Sequence, residues 1–381
     1  MNGNMKKRIG IVTLPLHTNY GGILQTHALQ EVLKRMGYEC GTFEHVYYPE
    51  ISVLKTVKYF FLKSVKRYLL FQHVDTLFPH RKAKEMFMEK YNYKQQKVRL
   101  FVNSNIKVLE IKCFQKIHST YDILIVGSDQ VWRPAYFGED IIHHAYLSFA
   151  KDWNVRRIAY AASFGTAEWE YTPEQTKECR RLLQRFDAVS VREASAISMV
   201  KDHFGVDAIH VLDPTMLLSR DDYEQLVINA NVKQNEGDLF CYVLDEKEEV
   251  TTFIHQVATQ IHLTPFSVGI PDNSNDASEQ VQPPVEQWLR GFMDARLVIT
   301  DSFHACVFSI IFHKPFIVMG NKERGNARFD SLLSLFGLQN RLVVNGQIPT
   351  DTLMDLPDSV YETLEEMQIL SMDFLRKHLS V

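Results

Sequence analysis

Short apolar runs rich in β-branched residues recur along this chain. Each ends in a polar turn that leads into a segment of helical periodicity. The first run is "RIGIVTLPL", its turn is "HTNYGG", and its helix is "ILQTHALQEVLKRMG". That helix has apolar side chains at Ile23, Leu24, Ala28, Leu29 and Leu33, and Gly37 closes it. Strand, turn, helix, strand is the unit of a parallel α/β sheet. Strands covered by helices on both faces read as unbroken apolar runs, as these do.

The unit occurs in two successive series. The first continues through "ECGTFEHV", "YDILIVGSD", "RRIAYAASFG", "FDAVSVRE" and "AIHVLDPT". Within it lies the helix "TPEQTKECRRLLQRF", with Thr172 as N-cap and Pro173 at the first helical position. Residues 51–117 are helical in flavour and basic, and read as an insertion. After "DPTMLL" the pattern restarts with "DLFCYVLD", "LTPFSVGI", "ARLVITD" and "KPFIVMG", and a long amphipathic tail follows. The expected fold is therefore α/β, with two Rossmann-like lobes, parallel sheets, a cleft between the lobes and a C-terminal closing helix. The expected division is 1–215, 216–355 and a helix over 356–381 packing across the lobes. Ligands of such sheets sit beyond the carboxyl ends of the strands, where the polar turns fall.

The totals exclude several classes. A chain of 381 residues exceeds one ordinary core. A formal charge of −4 gives no global attraction for nucleic acid, so any basic site must be local. Cys40, Cys113, Cys179, Cys241 and Cys306 are scattered and form no C-x-x-C pair, which points to reduced thiols and a cytoplasmic setting. The apolar run near the N-terminus is too short for a signal-peptide core. There is no P-loop, no G-x-G-x-x-G after the first strand, no G-x-S-x-G elbow and no H-E-x-x-H. A metal-free site is the expectation.

Five strand ends carry polar side chains. In "VITDSFHACVFSIIF", Asp301 or Ser302 is placed to cap the following helix, and His304 falls in its first turn. An imidazole beside an anion-friendly helix start suits a general acid/base; a capped helix with a packed histidine is the plainer reading. In "NKERGNARFDSLLSLFGL", Lys322, Arg324 and Arg328 read either as a phosphate or carboxylate clamp or as a solvated basic loop. Arg192 in "VSVRE" reaches the cleft or forms a surface pair with Glu193. In "ILIVGSDQVWRP", the side chains of Asp129, Gln130, Trp132 and Arg133 form a sugar-binding wall or a turn anchored by the indole. Asn19, Tyr20 and Gln25 in "TNYGGILQTHALQ" offer acceptor contacts or turn and cap chemistry.

At these residues the sequence resembles the polysaccharide pyruvyl transferase family. The resemblance is carried in order by "NYGGILQTHALQ", "YDILIVGSDQVWRP", "AASFG", "VSVRE", "VLDPTMLL", "ARLVITDSFHACVFSIIFHKPFIV" and "RFDSLL". It implies a GT-B-like fold with the acceptor on the N-terminal lobe and the donor on the C-terminal lobe. It also implies transfer of pyruvate from phosphoenolpyruvate, as co-substrate and without a cofactor, to a sugar of a surface polysaccharide or a lipid-linked oligosaccharide. His304 matches the family's active-site histidine and Arg192 an arginine implicated in donor binding. Several members carry arginine two residues before the histidine, where this chain has Ser302. Lys322, Arg324 or Arg328 is expected to supply that charge.

Two further expectations concern partners. In "LKTVKYFFLKSVKRYLLF", residues 54–71, five cations gather on one side of a helical wheel and apolar side chains on the other, the pattern of a helix lying on an anionic bilayer or packing on the lobe with its basic face solvated. A nucleotide-sugar glycosyltransferase on the same plan would need a carboxylate for ribose hydroxyls, with Glu286 or Glu323 as candidates. A non-catalytic carbohydrate-binding protein would need no cations beside His304.

Overall fold

The protein is described by a computed structural model over residues 7–44, 79–111, 114, 117, 120–245, 247–269, 280–320, 327–343, 348 and 354–380. Seven strands form the first sheet: β1 (Arg8–Val12), β2 (Glu39–Glu44), β3 (Val108–Glu110), β4 (Ile123–Val126), β5 (Arg156–Ala162), β6 (Ala188–Val191) and β7 (Ile209–His210). Their order is β3-β2-β1-β4-β5-β6-β7, and every neighbouring pair is parallel. The second sheet contains β8 (Leu239–Tyr242), β9 (Pro265–Phe266), β10 (Leu297–Thr300), β11 (Phe316–Met319) and β12 (Leu342–Val343). Its order is β12-β11-β10-β8-β9, again all parallel. In both sheets the strand order reverses beside a central strand, β1 or β10, and such a switch opens a crevice at the carboxyl edge. This is the two-lobed parallel α/β plan that the repeated strand–turn–helix pattern predicts.

The central strands follow from their sequences. "ILIV" in β4 and "LVIT" in β10 are buried at every position, as strands covered on both faces must be. Edge strands are shorter than their apolar runs suggest. "LTPFSVGI" pairs only at Pro265–Phe266, and "AIHVLDPT" only at Ile209–His210. The stretch 51–117 is not wholly a helical insertion. It contains the helix α2 (Pro79–Asn105) and then β3, which extends the first sheet by pairing with β2. Residues 54–71, the basic amphipathic stretch, lie outside the described residues.

Helix α1 (Tyr20–Arg35) follows β1, and α3 (Pro173–Leu183) begins with a reciprocal Thr172–Gln175 capping box. In the second sheet α4 (Val285–Asp294) and α5 (Phe303–Ile311) pack through Trp288, Phe292 and Phe308, with ring centroids 4.7–5.7 Å apart. Each such ring, fully buried, contributes about 1.5–3 kcal/mol. Tyr20 of α1 stacks on Trp288 at 5.4 Å, so one aromatic cluster joins elements of both sheets. Two last helices complete the frame: α6 (Ala327–Leu335) and the C-terminal α7 (Asp358–Leu379). α7 lies against the link between the sheets, where Ser371 Oγ accepts from Leu212 N at 3.0 Å and Gln368 Nε2 donates to Met216 O at 2.6 Å. Among the described residues no helix is long and apolar enough to cross a membrane.

Candidate active site

β10 ends at Thr300, whose hydroxyl donates to Tyr242 O at 2.5 Å and accepts from Ser302 N at 2.9 Å. That turn aims the chain into α5. The expectation that the Asp301 or Ser302 side chain caps α5 is corrected by the structure. Asp301 accepts instead from Leu244 N at 2.7 Å and Asp245 N at 3.1 Å, so it holds the loop after β8. Ser302 occupies the N-cap position without a side-chain cap bond. There the carboxylate accepts from two backbone N–H groups across a parallel strand pair.

His304, in the first turn of α5, is 5% exposed. Its ring lies on the first turn of α1. A Cβ placed on Gly21 would come within 2.1 Å of its Cγ and Nδ1, so only glycine leaves room for the imidazole. His304 Nε2 faces Asp213 Oδ2 at 3.6 Å, longer than a hydrogen bond. Asp213 follows β7 and β10 precedes α5, so this contact also joins the two sheets.

Around this histidine lies a cavity of about 390 Å³. Thr18, Asn19, Asp129 and Gln130 line it from the first sheet, and Tyr242, Gln282, Trp288 and Ser302 from the second. Arg328 of α6 completes the wall and is the one Lys or Arg among the described lining residues. Trp288 Nε1, His304 Nε2 and Arg328 Nε are all buried without a hydrogen-bond partner among the described residues. Buried polar groups are normally paired, and leaving one unpaired costs about 1–3 kcal/mol, more for a charge. Burial, with Arg192 nearby, pushes the Arg328 guanidinium below its ordinary range. Of the three nitrogens, those of Trp288 and Arg328 belong to cavity-lining residues with no acceptor facing them among the described residues, which describes a site shaped for oxygen acceptors, with a cation at one wall.

Arg192 is not a free donor-binding cation. Its side chain is 1% exposed and is surrounded by Asp213 at 2.9 Å, Asp129 at 3.3 Å and Glu193 at 3.3 Å. Burial alone would lower its affinity for the proton, but Glu193, Asp129 and Asp213 together raise it. The guanidinium stacks over the Phe303 ring at 4.4 Å, and Arg328 lies 6.0 Å from the same ring. Arg192 thus sits behind the wall, holding the carboxylates, while Arg328 faces the cavity. Burial pushes the Asp213 carboxyl upward, but the His304 ring, the Arg192 guanidinium and Thr215 N–H outweigh it and hold it well below the usual carboxylate range. Lys322 and Arg324 lie outside the described residues.

The expected acceptor wall divides. Asn19 caps α1 by accepting from Gly22 N at 3.2 Å, and its amide donates to Asp129 Oδ2 at 3.3 Å, so both stay at the cavity. Gln130 also lines it, steadied by Arg133 Nη1 at 3.3 Å. Arg133 itself is a clamp on Glu170, at 2.9 and 3.0 Å, away from the cavity. Trp132 is fully buried, stacked on Tyr146 at 5.2 Å with Nε1 donating to Ala145 O, and is a core anchor rather than a sugar platform. Tyr20 is fully buried, its hydroxyl donating to Pro283 O at 2.8 Å. Gln25 bridges Thr13 Oγ1 and Ser128 N inside the first lobe. Aromatic lining comes instead from Trp288 and Tyr242 on the second-sheet side, with Tyr136 on the first. Neither Trp288 nor Tyr242 lies in a recognisable motif, and only the convergence of β8, α4 and α1 brings them together.

A family model described as polysaccharide pyruvyl transferase matches residues 19–323. Two parallel α/β sheets meeting over a polar cavity thus belong to a transferase family. The chain is a member of the polysaccharide pyruvyl transferase family. Among solved structures it is similar to UDP-GlcNAc 2-epimerase from Neisseria meningitidis, at 10% identity over 98% of this chain and 100% of that one, with a TM-score of 0.49. It is also similar to S. aureus MnaA in its UDP co-structure, at 12% identity over 99% and 97%, with a TM-score of 0.48. No match was found among curated proteins.

Proposed function

We propose that this chain transfers the pyruvyl group of phosphoenolpyruvate to two hydroxyls of one sugar, forming a ketal and releasing phosphate. The observation that carries the reading is Arg328: a buried guanidinium, with no hydrogen-bond partner among the described residues, on the same cavity as His304. Phosphoenolpyruvate presents a carboxylate and a phosphate, and a planar fork of N–H groups matches either. Of the two lining carboxylates, Asp301 is held by backbone N–H groups and Asp129 by Arg192 and Asn19, which leaves Arg328 for an incoming anion.

The chemistry needs a proton carrier. One sugar hydroxyl adds to the enol carbon, and its proton passes through His304 to the methylene, which becomes a methyl group. The second hydroxyl then attacks the same carbon, the C–O bond to phosphate breaks, and the second proton leaves with phosphate. Arg328 stabilises the departing charge. Asn19, Asp129 and Gln130 are the acceptor contacts of this reading. The acceptor is a sugar of a surface polysaccharide or a lipid-linked precursor, and the work is done in the cytoplasm. Of the two carboxylates a nucleotide-sugar mechanism would call on, Glu286 is half-buried on α4 and does not line the cavity, and Glu323 lies outside the described residues.

Phosphate release from phosphoenolpyruvate on addition of hexose acceptors tests the reading. His304→Ala is expected to slow it by orders of magnitude with the fold intact. A near-normal rate in that variant would refute the role of His304.

A further inference from the structure

Asp213 has no place in the reaction as written above, yet its surroundings are more completely specified than those of any cavity residue. Oδ1 accepts from Thr215 N at 3.0 Å and Thr215 Oγ1 at 2.8 Å. Oδ2 accepts from Arg192 Nη1 at 2.9 Å and Ser128 Oγ at 3.4 Å, and the same oxygen faces His304 Nε2. With Arg192 beside it the carboxylate is ionised, and an ionised carboxylate only accepts. At 3.6 Å the contact is longer than a hydrogen bond, but a carboxylate at that distance repels a lone pair and attracts an N–H, so the ring nitrogen turned to it carries hydrogen. In a neutral imidazole that leaves Nδ1 with the lone pair. Nδ1 lies beside Gly21, which lines the cavity.

We infer that Asp213 is the positioning residue for His304, selecting the Nε2–H tautomer and leaving Nδ1 as the nitrogen that exchanges protons with substrate. The inference rests on reading His304 as the acid/base. In the addition step the hydroxyl O–H bond breaks as its oxygen bonds the enol carbon, the proton lands on Nδ1, and the imidazolium so formed faces Asp213. The same proton then passes to the methylene carbon, so the hydroxyl adds across the double bond with nothing left over. The charged groups around the pair are Arg192, Asp129 and Glu193 in the first lobe and Arg328 in the second. Because Asp213 and Gly21 come from the first-sheet side and His304 from the second, the dyad exists only when the two meet. The fold thereby ties the acid/base to assembly of the cavity.

Histidine tautomers are read directly from two-bond 1H–15N correlations in 15N-labelled full-length protein, with the His304 signals assigned by their loss in His304→Gln. The expected result is the Nε2–H form in the wild type and loss of that preference in Asp213→Asn. Alongside, kcat falls about 100-fold or more in Asp213→Asn while phosphoenolpyruvate affinity changes less than threefold, the pattern of a lost orienting carboxylate. Gly21→Ala, which displaces the ring without touching Asp213, is expected to lower kcat similarly and serves if Asp213→Asn does not fold. A wild-type spectrum dominated by Nδ1–H would overturn the proposal, as would an unchanged tautomer and kcat in the variants. The spectrum needs no turnover. An Nε2–H tautomer in a protein that ignores phosphoenolpyruvate would sink the donor reading and leave the positioning role standing.

Discussion

Arg192 Nη1 donates to Asp213 Oδ2 at 2.9 Å, and both side chains are only 1% exposed. The bond separates two arginines that the sequence presents as equals. Arg192 pairs with three buried carboxylates; Arg328 forms no ion pair among the described residues and feels Asp129 and Glu193 only at longer range. One is built into the fold, and the other is the cation to which the proposed function assigns the donor.

Arg192→Met is therefore expected to destabilise the fold by about 3–5 kcal/mol, because it strands Asp129, Glu193 and Asp213 without their counter-charge. Urea denaturation of the purified variant measures this. An unchanged midpoint would mean the carboxylates are neutral in the folded protein.

Arg328→Met should have the opposite signature. Removing an unpaired buried cation leaves stability equal or higher, while phosphoenolpyruvate binding weakens about 10- to 100-fold, the worth of a charge-assisted bond. Thermal melting and calorimetric titration of the same preparation check both halves.

The depressed Asp213 carboxyl sets an acid limb. Its folded value lies below that of the unfolded chain, so the stability it contributes is complete above the ordinary carboxylate value, about 3.9, and is lost as pH falls below that. Asp213→Asn is then less stable than wild type at pH 7, and the gap narrows as pH drops below about 4. Denaturant midpoints over that range test the sign.

Cys40, Cys179, Cys241 and Cys306 are buried free thiols, and burial pushes Cys40 up to about 11 and Cys241 up to about 12. These four are expected to resist thiol reagents in the native protein at pH 8 and to label fully in denaturant. Mass spectrometry of the labelled protein gives the answer.

The parallel sheets were legible because buried strands and amphipathic helices leave local periodicities. His304 was legible because polar residues interrupt the most apolar stretch of the chain. Trp132 misled: an indole after a strand-end turn has the same local sequence whether it lines a cavity or anchors a core, and its stack on Tyr146 is a long-range fact. Trp288, Tyr242 and Gln282 carried no signal, since they reach the cavity from separate elements of the second lobe. The pairing of Arg192 with Asp129 and Asp213 was hidden for the same reason. Its partners stand 63 and 21 residues away.

The central claim is that this cavity receives phosphoenolpyruvate, and calorimetric titration of the full-length protein with phosphoenolpyruvate and, separately, UDP-glucose tests it most directly. The account predicts saturable binding of one phosphoenolpyruvate per chain, weakened in Arg328→Met, and no heat from UDP-glucose. Binding of UDP-glucose with phosphoenolpyruvate inert would contradict it.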